Sequence, residues 1–85
     1  MLARILTEDK NSERVRELTS KVFDGFTMLR GMGVWKGKLE PCLVVEVACG
    51  KKDRKKVVEL AQAIRVAGEQ ESVLVEWLEC HNSLI

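Results

Sequence analysis

The chain predicts a small α+β domain with elements in the order β-α-β-β-α-β, and three observations predict it. Two stretches carry apolar residues at helical spacing, apolar β-type segments flank each of them, and the two middle segments are separated only by Lys36-Gly37-Lys38. At 85 residues this is one domain, close to the length at which a single core is only just sufficient.

Leu2 to Leu6 is a short apolar strand, closed by the polar turn Thr7-Glu8-Asp9-Lys10-Asn11. Asn11 or Ser12 caps the first helix, with Glu13 favourably placed in its first turn. Val15, Leu18, Val22 and Phe23 recur at helical spacing, and Asp24-Gly25 ends the run. Phe26 to Trp35 and Leu39 to Cys49 form the central hairpin. Pro41 has no N–H to donate, which puts the start of the second hairpin strand at an edge or bulge. Asp53 caps the second helix, Val57, Leu60, Ala61, Ile64 and Ala67 make its apolar stripe, and Gly68 stops it. Ser72 to Cys80 is the last strand. This is the ferredoxin-like plan, βαββαβ, an antiparallel sheet with both helices on one face.

A sheet with one solvated face reads apolar-in and polar-out. Here Leu43, Val45, Val47 and Cys49 alternate with Cys42, Val44, Glu46 and Ala48, and Val73, Val75 and Trp77 alternate with Leu74, Glu76, Leu78 and Cys80. Both faces are therefore largely apolar, and two helices cover only one. The economical cover for the other is a second copy of the sheet, so a homo-oligomer is expected with Val44, Glu46, Leu74, Glu76 and Leu78 as interface candidates. Glu46 and Glu76 are the acids set within apolar strands; they are either rim residues facing water, cation ligands, or partners of an Arg or Lys.

Glycine is frequent in the first hairpin strand, where it marks bends or close backbone approach. Gly31, Gly33, Trp35, Lys36 and Gly37 are accordingly candidates for a ligand-binding cleft with affinity for a small anion. The alternative is that Trp35 plugs the end of the core.

The segment Gly25-Phe26-Thr27-Met28-Leu29-Arg30-Gly31-Met32-Gly33 resembles the one that ends the first helix and opens the second strand in PII-type signalling proteins, and the element order matches theirs and that of the related CutA-type proteins. The resemblance implies a compact trimer with sheets facing inward and small ligands held in clefts between subunits. Two departures stand out. The loop around Lys36-Gly37-Lys38 is short, and the turn where that family binds phosphate reads Gly68-Glu69-Gln70-Glu71-Ser72, whose two carboxylates repel phosphate.

Other chemistry is sparse. His81 is the only histidine, so no Ser-His-Asp or Cys-His arrangement can be built, which favours a binding or regulatory module over an enzyme. The alternatives are a small enzyme with active sites at subunit junctions, or an interaction protein with no small ligand. No cofactor is indicated. Cys42, Cys49 and Cys80 make an odd set without a Cys-x-x-Cys pair, so reduced, mostly buried thiols are expected rather than disulfides or a metal site. The net charge of +1 excludes a global pull toward nucleic acid or membrane, and two Trp and two Phe are few for base stacking. The run Lys51-Lys52-Asp53-Arg54-Lys55-Lys56 reads as a solvated face or a local anion site. No apolar run approaches the roughly 20 residues of a membrane span, and no signal segment is visible, so a cytoplasmic address is expected.

Overall fold

A computed structural model describes residues 1–85 and gives the expected βαββαβ plan. The elements are β1 (Leu2–Glu8), α1 (Ser12–Ser20), β2 (Thr27–Trp35), β3 (Lys38–Ala48), a single 3-10 turn (Lys51–Asp53), α2 (Arg54–Ala67) and β4 (Leu74–Leu78). The four strands form one antiparallel sheet in the order β2-β3-β1-β4. This is the ferredoxin-like arrangement, with the first strand central and the last at an edge.

Local chemistry sets the helix limits. Asn11 Oδ1 accepts the Arg14 N–H at 3.1 Å and caps α1. The helix ends at Ser20, three residues before the expected stop. The N–H groups of Val22 and Phe23 both turn onto the Thr19 carbonyl, at 3.0 and 2.9 Å, which tightens the last turn and releases the chain. Val22 and Phe23 still pack against the core, which is why they carry helical periodicity in the sequence. Asp53 precedes α2 as expected, but its carboxylate accepts the Gly50 N–H at 2.9 Å instead of capping the helix. The expected last strand, Ser72 to Cys80, shortens to Leu74–Leu78, because its only neighbour is β1 and the two pair over Leu2–Leu6. Pro41 lies opposite Met32, one residue beyond the Glu8–Cys42 pair where the β1 ladder ends. Its carbonyl accepts from the Asp9 N–H on the β1 side, so its missing N–H faces the same side, just past the end of the β1 ladder.

The core lies between the sheet and the helices. Ala3 and Ile5 of β1 and Leu43, Val45 and Val47 of β3 meet Val15 of α1 and Val57, Leu60, Ala61 and Ile64 of α2. At its margin Gln70 is buried and locks the turn after α2 to β1. Its Oε1 accepts from the Thr7 hydroxyl at 2.9 Å and the Glu8 N–H at 3.1 Å, and its Nε2 donates to Thr7 Oγ1 at 2.7 Å. No buried side-chain polar atom is left without a partner.

Ile5 is fully buried at the centre of this core. Ile5→Ala should therefore lower unfolding stability by about 2–5 kcal/mol, through lost transfer energy and the cavity left behind. Urea denaturation followed by circular dichroism measures this, and a loss below about 1 kcal/mol would mean the core is not centred on β1.

Candidate functional site: the open sheet face and the hairpin arm

Strand register sorts every side chain to the helix face or the open face. On the open face the pairs form rows across the sheet. One apolar row runs Leu29-Val44-Leu6-Leu74, and at the far end Leu2 lies between Ala48 and Leu78. Between these rows sits a polar one, Thr27-Glu46-Arg4-Glu76. All five interface candidates, Val44, Glu46, Leu74, Glu76 and Leu78, thus fall on the face that no helix covers.

Arg4 was not singled out from the sequence, yet it organises that row. Its Nε and Nη2 lie 3.0 and 2.9 Å from Glu46 Oε2, and its Nη1 lies 3.9 Å from Glu76 Oε1. Of the readings open for the two glutamates, pairing to an arginine is the one found. One cation serves two carboxylates, so the row keeps a negative excess within an apolar surround. A charge at position 4, inside Leu2-Ala3-Arg4-Ile5-Leu6, is the signal that could have found it.

The β2–β3 hairpin continues past the end of β1 as an arm. Its tip is a two-residue turn with positive φ at Lys36 (50°) and Gly37 (78°), the backbone of a type I′ turn. One side of the arm carries Met32 opposite Pro41 and Val34 opposite Leu39; the other carries Gly31 opposite Cys42, Gly33 opposite Glu40 and Trp35 opposite Lys38. The candidate residues Gly31, Gly33 and Trp35 therefore share one side, continuous with the open sheet face, while Lys36 and Gly37 form the tip. Trp35 is 65% exposed, which rules out the core-plug alternative. Lys36 Nζ lies 6.0 Å from its ring centroid. Gly33, opposite Glu40, leaves the backbone bare on this side of the arm. Sequence reasoning missed Glu40, because only the register sets it opposite Gly33 on the same side of the arm as Trp35.

At the opposite end of the sheet, a concavity of about 460 Å³ includes Ala48, Cys49, Cys80 and His81 among its walls. The three cysteines are free, and the expectation of mostly buried thiols is corrected: Cys42 and Cys49 are half-buried and Cys80 is exposed. Short β4 explains Cys80, which falls beyond the last sheet pairing. Burial first, and the nearby Asp53 carboxylate second, push the Cys49 thiol above its ordinary pKa. The folded state thus favours the neutral thiol, a contribution present below the ordinary thiol pKa and lost as pH rises through the raised one. Under native conditions near neutral pH, iodoacetamide should label Cys80 well before Cys49, as read by peptide mass spectrometry. Labelling of Cys49 first would contradict this placement.

No known protein-family model matches this chain, and no curated protein matches it in sequence. Among solved structures, a phage SAM lyase in its apo state superposes with a TM-score of 0.67 at 21% sequence identity, covering 87% of this chain and 75% of the other. At that identity the likeness shows a shared fold.

Proposed function

We propose that the chain works as a homo-oligomer, a trimer of PII-like plan, assembled through the open sheet face, and that the side of the arm bearing Trp35 lines a small-molecule site at the subunit junction. The observation that carries this reading is the continuity of an uncovered apolar sheet face with an exposed Trp, a bare glycine and a carboxylate on the arm. An apolar face of this kind is stabilised when a second copy excludes water from it. The same assembly would enclose the arm and turn an open surface into a cleft.

For the ligand, the structural neighbour supports the enzymatic alternative over a purely regulatory module. We infer an S-adenosylmethionine-type substrate, cleaved by elimination: a base takes a proton from the carbon next to the one bound to sulfur, a C=C bond forms as that C–S bond breaks, and the sulfur leaves as a neutral thioether. Such a molecule carries both a sulfonium cation and a carboxylate: Glu40, on the Trp35 side of the arm, is the counterion for the first, and Lys36 and Lys38, which flank the indole, are the counterions for the second. A lyase uses neither water nor an oxidant to break its bond. Its demands are orientation, electrostatics and a proton acceptor, which a carboxylate supplies without the nucleophile–base set that this chain lacks. Glu40, on the Trp35 side of the arm, is our candidate for that acceptor.

The test is incubation of the purified protein with S-adenosylmethionine, following its disappearance by chromatography. The expected result is protein-dependent consumption without added cofactor. Trp35→Leu should leave the unfolding midpoint unchanged, since the ring is exposed, while lowering kcat/KM by about tenfold or more. Val44→Glu, distant from the arm's tip, should reduce activity together with assembly, because a buried unpaired charge costs several kcal/mol. Intact turnover in both variants would overturn the reading. A substrate-induced rise in melting temperature without consumption would instead assign the site to binding alone.

A further inference from the structure

On the side of the molecule away from the open face, α1 and α2 leave a groove of about 420 Å³ between them. Its floor is apolar, from Leu18 of α1, Val22 just past its end, and Leu60 and Ala63 of α2, and its rim carries Lys21, Lys56 and Glu59. Neither lysine is in an ion pair, although the chain forms six elsewhere. Lys56 is also the last cation of the run that starts at Lys51. Five cations against one acid give residues 51–56 a charge of +4, so the rest of the chain carries −3 of the overall +1.

This concentration is locally unfavourable. Lys51 and Lys55, and Lys52 and Lys56, repeat the same charge at four-residue spacing, at the end of α2 where the helix dipole is already positive. None of the five cations meets an acid within 4 Å; Arg54 stacks on Trp77, and the four lysines have no ion-pair partner inside the chain. Residues that break a local rule without an internal gain are candidates for an external partner.

From the groove and the charge together, we propose that the α1–α2 groove and the adjoining basic run dock an acidic, amphipathic segment of a partner protein. Its apolar side chains would lie on Leu18, Val22 and Ala63, above the buried Leu60, and its carboxylates would meet Lys21, Lys56 and the run behind it. Two features favour a polypeptide over nucleic acid. A phosphodiester backbone makes no use of an apolar floor. The aromatic beside the run, Trp77, is covered by the Arg54 guanidinium at 4.9 Å from its ring centroid and is not free to stack on a base. The surface is separate from the arm, so the proposal stands apart from the proposed activity.

Fluorescence anisotropy with three labelled probes tests it: a short helical peptide with leucines on one face and glutamates on the other, an oligoglutamate of equal length, and a short DNA duplex. The amphipathic peptide should bind more tightly than the other two and weaken as salt rises. Lys21→Glu combined with Lys56→Glu should weaken that binding by about tenfold or more, since both substitutions place like charges against the probe. Both positions are exposed, and an unchanged thermal melt confirms the variant is folded. Failure of the peptide to bind, equal or tighter binding of oligoglutamate or DNA, or affinity unaltered by the double charge reversal would each overturn the proposal.

Discussion

Two helices of nine and fourteen residues, packed on one side of a four-stranded sheet, leave its other side bare. The rest of the structure depends on that constraint. The core can be built only from the alternate residues that face the helices, and it is: Ala3, Ile5, Leu43, Val45 and Val47 are buried while their neighbours in sequence are half-exposed or exposed. The residues between them are not the polar set a solvated face would carry, because Leu2, Leu6, Val44 and Leu78 alternate with that core. The rows Leu29-Val44-Leu6-Leu74 and Thr27-Glu46-Arg4-Glu76 cross β3 and β1, the two strands with neighbours on both sides, so their character fixes the character of the face.

Within that face the Arg4 row is the polar break. Partly buried ion pairs add little net stability, since desolvation offsets much of the attraction. What the row does supply is a fixed arrangement. One guanidinium holds glutamates from the strands on either side, so β3 and β4 are tied through β1 by side chains as well as by backbone ladders. A surface with two apolar bands and one charged row between them has few ways to meet a copy of itself without stranding a charge, which favours a single geometry of association.

The fold was legible because its elements are strongly periodic and their ends are chemically marked: Asn11 caps α1, Gly68 ends α2, and Lys36-Gly37 turns the hairpin. Alternation in β3 and β4 also separated the open-face set correctly, since a two-residue period assigns faces without knowledge of partners. Juxtapositions across strands were not legible. Arg4 with Glu46 and Glu76, Glu40 on the Trp35 side of the arm, and Gln70 against Thr7 depend on register and on pairs 42 to 72 residues apart being brought together, or on a hairpin's offset, none of which local periodicity contains. The exposure of Trp35 was undecidable from sequence for a related reason: it depends on how far the hairpin outruns β1, which ends at Glu8.

The central claim is that the open face is covered by other copies of the chain. Sedimentation equilibrium of the unmodified protein at micromolar concentration tests it most directly. A trimer assembled through the open face would give a single species with a mass near three times the 9.6 kDa of one chain. A species that stays at 9.6 kDa across that range would contradict it.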